Sequence, residues 1–373
     1  MTKIFGWRNC WSMRGATADW LGGPGYYRIV KPLQALIEKY PERCSSEVFG
    51  NPMTEIERLR PQTFPYSMGV FEHHIKNSDI TFTKHFSNMD NVAFMLAACE
   101  TYQKPWIIDF DDDFFSIDPE QAVNVFFRPD TQETTAIVQG LRNARAITVS
   151  TEPLADTYRP YNRNIHLLKN YNDIRDWHVK QKGHGGPLRI GWAGSLSHEG
   201  NHNLQISIVK ALWQKYGKKI KFIFMGAAPT GLALELPKAA YELKSGVLSM
   251  WDYPQALADL RMDIGIAPLR ANIFSEAKGH GKWMEYACLK VPMVGTKWGP
   301  YARECRDGFD SLLVPKDNPI DVWVQKVSEL IDNPTLRKQI GQQAYDRVVN
   351  EYQWKDHVDE WAEVFDTYAN PIA

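Results

Sequence analysis

Missing from this chain of 373 residues are any long apolar run, any dominant charge, any clustering of cysteine and any internal repeat or low-complexity tract. No stretch approaches the ~18 consecutive apolar residues of a spanning helix, and the opening MTKIFGWRNC has no apolar core of a secretory signal. Membrane contact is therefore expected to be peripheral at most. A formal net charge of −1, with both signs intermixed, advertises no basic face for wrapping nucleic acid or adhering to an anionic bilayer. The five cysteines, Cys10, Cys44, Cys99, Cys288 and Cys305, are odd in number, far apart and in no metal-ligand spacing, which points to a reducing, cytoplasmic setting.

What is present suits two medium domains, since 44% apolar residues are ample for two buried cores. Short apolar runs alternate with helical stretches, the pattern of parallel sheets built from βαβ units. The first half offers strands at Lys3–Gly6, Glu47–Phe49, Ile80–Thr83, Trp106–Asp109, Ala146–Ser150 and His166–Leu168. The second offers Leu188–Ala193, Lys221–Met225, Asp263–Ala267, Pro292–Gly295 and Ser311–Val314. Between them the polar segment DIRDWHVKQKGHGGP, ending in Gly185, Gly186 and Pro187, reads as an exposed hinge. The expected division is residues 1–172, hinge 173–187, residues 188–352 and a last helix within 353–373.

Residues 276–296, EAKGHGKWMEYACLKVPMVGT, carry the most specific signal. At 100° per residue Lys278, Lys282 and Glu285 share one helical face, with Glu276 half a turn away. Two ammonium groups and the first free N–H groups of a helix suit a diphosphate, and a carboxylate one turn deeper suits ribose hydroxyls. An ordinary solvated amphipathic helix fits the same residues equally well. The run Glu285-Tyr286-Ala287, then Val291-Pro292-Met293-Val294-Gly295-Thr296, resembles the C-terminal signature of retaining glycosyltransferases with two Rossmann-like domains (GT-B), roughly E-x7-E-A-x3-G-x-P-V-V-A-T. The second Glu of that signature, the ribose ligand, falls on Glu285. The first, which touches the transferred sugar, falls on Ala277, with Glu276 one residue out of register. A subgroup written K-S-x-x-K-x-x-E is matched by Lys278, Gly279, Lys282 and Glu285, with Gly in place of Ser.

Ordered pieces elsewhere resemble the same family. Leu21-Gly22-Gly23-Pro24-Gly25-Tyr26-Tyr27-Arg28 is similar to its glycine-rich first loop, which makes Gly23 and Arg28 donor-side candidates; a Gly-Pro turn capping a helix is the plainer alternative. Leu188-Arg189-Ile190-Gly191-Trp192-Ala193-Gly194-Ser195 is similar to the loop that abuts the donor phosphates, placing Gly194 and Ser195 there. His198 and His202, four apart, lack a third ligand and read as solvated loop histidines. Ser150-Thr151-Glu152-Pro153-Leu154, Asn170-Tyr171-Asn172 and Asp263-Ile264-Gly265-Ile266-Ala267-Pro268 extend the likeness.

The segment Trp106-Ile107-Ile108-Asp109-Phe110-Asp111-Asp112-Asp113 runs an apolar strand into four carboxylates. Ligands of open α/β sheets bind beyond such strand ends, so Asp109, Asp111 and Asp112 are candidates to bind or deprotonate an acceptor hydroxyl, with His74 a fourth. Asp caps in an acidic loop are the bland alternative. A rival function reads the same strand as the start of a haloacid-dehalogenase-like phosphatase, with Asp109 as nucleophile, Asp111 as neighbouring acid and Mg²⁺.

The fold expected is α/β, two Rossmann-like domains facing each other across a cleft, with the C-terminal helix crossing back. The activity expected is transfer of a sugar from a nucleoside-diphosphate-sugar to an acceptor hydroxyl with retention, with no metal ion or other cofactor required. The acceptor is a glycan, a lipid-linked glycan or a hydroxymethylated DNA base. A non-catalytic sugar-nucleotide binder is the remaining alternative.

Overall fold

The computed structural model describes residues 2–7, 22–49, 64–247 and 249–369. The strands form two parallel six-stranded sheets. The first contains β1 (Thr2–Trp7), β2 (Cys44–Phe49), β3 (Ile80–Lys84), β4 (Trp106–Phe110), β5 (Ala146–Val149) and β6 (Ile165–Leu167), in the order β2-β1-β3-β4-β5-β6. The second contains β7 (Leu188–Gly194), β8 (Ile220–Gly226), β9 (Tyr241–Lys244), β10 (Ile264–Ala267), β11 (Met293–Thr296) and β12 (Leu312–Val314), in the order β12-β11-β10-β7-β8-β9. Counted from its own first strand, the second sheet has the order 3-2-1-4-5-6 of the doubly wound dinucleotide-binding fold. In such sheets the order reverses at a switch point, here between β7 and β10, and a crevice opens beyond the strand ends at that point.

Strands covered on both faces explain why the sequence shows continuous apolar runs rather than alternation. Every residue of β3, β4 and β5 is buried. The sequence reading missed β9, an edge strand of four residues whose Glu242 and Lys244 dilute the apolar signal. Charged, short edges are how sheets discourage pairing with other chains.

The C-terminal helix, Trp354–Ala369, returns to the first sheet. Its Trp361 and Phe365 rings pack edge-on against Phe82 of β3, and Asp359 and Asp366 pair with Lys39 and Arg43, each at 2.8 Å. Among the described residues no helix is long and apolar enough to cross a membrane.

Candidate active site

The crevice beyond β7 is floored by close backbone packing. A Cβ on Gly194 would lie 2.5 Å from the Trp192 ring, so only glycine lets the chain turn there. Gly226, at φ +87°, ends β8 so tightly that a Cβ would strike the Gly194 carbonyl oxygen, and the following amide of Ala227 donates to that oxygen at 2.9 Å. Ser195 beside them is exposed, its hydroxyl 3.0 Å from that of Ser197. The helix His202–Tyr216 begins just beyond, and its first residue is buried, so His202 is a packed histidine rather than the solvated loop residue expected. Edge-on contact with Trp192 likewise engages His198.

Facing this floor is the 276–296 segment, where one expectation needs correcting. Lys278, Lys282 and Glu285 do not ride a single helix. One short helix, Ile273–Glu276, ends before Ala277, and a second, Gly281–Cys288, starts after a four-residue break that holds Lys278. Gly279 and Gly281 weaken helix continuity there, and Gly279 lies so close to the first half that a Cβ would sit 3.0 Å from Asn170 Nδ2. The Asn272 side chain and Ser275 form a capping box that fixes the first helix.

The three side chains nonetheless converge on the crevice. Lys278 Nζ lies 4.3 Å from the centre of the Phe274 ring and 3.4 Å from Asp112 Oδ1 on the opposite sheet. Lys282 donates to the Ala193 carbonyl and lies 4.9 Å over the Trp192 ring. Burial, reinforced by the Lys278 charge and opposed by Glu285, lowers the Lys282 ammonium to about 8. Glu285 Oε1 accepts from Tyr27 at 3.2 Å and Oε2 from Tyr253 at 2.9 Å. Burial raises its carboxyl, against the pull of Lys282 and the two phenols. Glu276 ends its helix with its backbone carbonyl accepting from Arg303 at 2.8 Å.

On the first sheet, register explains the acid cluster. Asp109 is paired with Lys84 of β3 on one side and Thr148 of β5 on the other. Its wholly buried carboxylate accepts from Arg28 at 2.6 Å and 3.0 Å, from Lys84 at 2.8 Å and from Thr148 at 2.6 Å. Burial opposes its ionisation, yet the guanidinium and ammonium beside it hold the carboxyl below the usual range. Arg28 is wholly buried as well, and also donates to Asn170 at 3.1 Å. The expected donor ligand Arg28 and the expected catalytic Asp109 are thus engaged with each other inside the first sheet. Lys84 went unnoticed in the sequence, its only signal being a cation closing an apolar strand.

Beyond β4 the alternation ends. Asp111 shares Lys84 with Asp109, at 2.6 Å; Asp112 turns to Lys278; Asp113 is buried and accepts from the Phe115 amide at 3.0 Å. Burial raises the Asp112 carboxyl despite Lys278. His74 lies on the helix Phe64–Asn77 and stacks on Phe5 of β1, with ring centres 5.6 Å apart. The glycine-rich segment starts the helix Gly23–Gly25, which runs through a π-helical turn, Tyr26–Val30, into Lys31–Lys39. That turn sends Tyr27 to Glu285 and Arg28 to Asp109, and a Cβ on Gly23 would meet nothing within 4 Å.

Residues 173–347, which contain this entire second crevice wall, match the family described as Glycosyl transferases group 1. That stretch is similar to group 1 glycosyltransferase domains, and the chain is a glycosyltransferase. HepE (Alr3699) of Anabaena, solved with UDP and glucose, is similar in fold at a TM-score of 0.67 and 13% identity, over 98% of this chain and 100% of that one. Sucrose-phosphate synthase (tll1590) of Thermosynechococcus elongatus gives 0.69 and 12%, over 98% and 99%, and a glycosyltransferase of Rickettsia africae ESF-5 gives 0.63 and 11%, over 100% and 99%. No curated protein matches the sequence at a significant level. Both sheets of this glycosyltransferase therefore follow the GT-B arrangement.

The phosphatase alternative fails on the same geometry. Its nucleophile must face substrate beside a cation, whereas Asp109 has no solvent exposure and its oxygens are taken by Arg28, Lys84 and Thr148. Among the described residues, no three His, Cys, Asp or Glu side chains are placed to share a metal ion.

Proposed function

We propose that this glycosyltransferase takes a nucleoside-diphosphate-sugar into the crevice of the second sheet and transfers the sugar, with retention and without a metal ion, to a hydroxyl of a saccharide held against the first. The convergence of Lys278, Lys282 and Glu285 beside the Gly194–Ser195 turn carries the reading. Two cations suit the diphosphate, the tight turn lets backbone N–H groups approach it, and Glu285 accepts the ribose hydroxyls. Charge that builds on the departing diphosphate is met by ammonium groups already in place, the electrostatic contribution that commonly dominates such transfers. Retention rests on the resemblance of Lys278, Lys282 and Glu285 to the K-S-x-x-K-x-x-E pattern.

Asp111 and Asp112 present the acceptor hydroxyl, while Asp109 and Arg28 position them from beneath. Residues 1–172 and 188–352 act as lobes closing about 173–187, with 353–373 tied to the first. A saccharide acceptor is favoured over a DNA base, because the acceptor face carries Asp111 and Asp112 and the chain has no excess of positive charge. The neighbouring HepE was solved with UDP-glucose as well, which makes that donor the first to try.

Incubation with UDP-, GDP- and ADP-glucose and a panel of saccharides, followed by NMR of the anomeric proton, tests the proposal. An α-linked product formed in EDTA supports it. Inversion, a requirement for added metal, or turnover with no donor contradicts it.

A further inference from the structure

Glu285 is a mostly buried carboxylate that already receives two hydroxyls, one on each oxygen, from phenols on opposite sides of the crevice. A carboxylate in that position left without donors would be costly, so a donor-free crevice has to supply substitutes. Two hydroxyls converging on one carboxylate are what a vicinal diol delivers. We propose that Tyr27 stands on Glu285 where a ribose hydroxyl of the nucleotide binds, and that it is the placeholder the ribose displaces while Tyr253 remains.

The inference rests on the reading of Lys278, Lys282 and Glu285 as the nucleotide site. A carboxylate has about four acceptor positions, so one phenol and a diol fit together. Tyr253 is the phenol that stays: it heads the helix Tyr253–Asp259 of the same sheet and makes the shorter bond, 2.9 Å against 3.2 Å. Tyr27 comes from the other sheet, on the π-helical turn where one regular helical bond is already given up. Its ring packs edge-on against Tyr26, with centres 5.0 Å apart, and beside Met250, so removing only the hydroxyl keeps the packing. The cross-crevice bond therefore holds Glu285 in readiness while lowering its affinity for ribose.

Calorimetric titration of the full chain with UDP, GDP and ADP, continued with the tightest binder and its 2′,3′-dideoxy analogue, reads the exchange. Tyr27→Phe is expected to bind the ribonucleotide about fivefold tighter than the parent protein, and the gain is expected to vanish with the dideoxy analogue. Unchanged or weaker binding by Tyr27→Phe, or a gain that persists without the diol, overturns the proposal. Glu285→Gln separates the layers: if the parent protein binds none of the three nucleotides, or Glu285→Gln binds as well as the parent, the nucleotide-site reading fails and takes this one with it. If Glu285→Gln weakens binding and Tyr27→Phe leaves it unchanged, the placeholder alone is wrong.

Discussion

Lys278 Nζ lies 3.4 Å from Asp112 Oδ1, an ion pair that joins the segment beside the second sheet to the acid cluster beyond β4 of the first. Under the proposed function, a diphosphate arriving at Lys278 would take over from Asp112, so donor binding would free the acid as it neutralises the base. Replacing Asp112 by Asn removes the competitor. We expect nucleoside-diphosphate binding to tighten severalfold while the transfer rate falls at least tenfold, measured by calorimetry and initial rates respectively.

If Lys282 holds the donor diphosphate as proposed, it is expected to set the pH dependence of donor binding. In the free protein its ammonium titrates near 8, and a bound diphosphate favours the charged form, so the bound value is higher. Binding then takes up protons, and affinity falls as pH rises above about 8. Titrations at pH 8.5 in buffers of different ionisation heat should show uptake of about three-quarters of a proton, and Lys282→Met should abolish it.

Stability depends on the Asp109 cluster. Asp109→Ala leaves Arg28 and Lys84 buried without their shared counter-charge, a loss on the order of 3–5 kcal/mol. Asp111→Asn, at the partly exposed end of the network, should cost well under half as much. Urea denaturation at pH 7 compares the two.

His280, buried beside Tyr352 and Trp283, supplies an acid-sensitive element. Burial, opposed by Glu304, lowers its pKa from the ordinary 6.5 to about 4. The unfolded chain binds more protons across that window, so the contribution is complete above pH 6.5 and is lost as pH falls towards 4. At pH 5 the loss is about 2 kcal/mol. Denaturation curves at pH 7 and 5 should differ by roughly that much more for the parent protein than for His280→Phe.

The alternation of apolar runs and helices made the two sheets legible in the sequence, because strands buried on both faces read as short continuous apolar runs bounded by turn residues. The edge strand β9 was not, since it pairs on one side alone and its Leu243 and Lys244 are exposed, which dilutes the apolar signal. Lys278, Lys282 and Glu285 were picked from helical spacing, yet the chain brings them together across a break at Ala277–His280, a tertiary contact with Asn170 that no periodicity records. Asp109 looked like a ligand because charge at a strand end usually faces a cleft, and Arg28 because it follows a glycine-rich segment at a helix start. Lys84, paired with Asp109 on the neighbouring strand yet 25 residues away in sequence, turns that charge inward. Tyr27 and Tyr253 lay beyond reach, as an aromatic on a helix face ordinarily reads as core.

Lys278 and Lys282 are proposed to grip the diphosphate of the donor. Calorimetric titration of the tightest-binding nucleoside diphosphate into the parent protein and into Lys278→Ala/Lys282→Ala tests it most directly. The double variant is expected to lose about 100-fold or more in affinity with an unchanged melting profile. Equal affinity in the two proteins would contradict it.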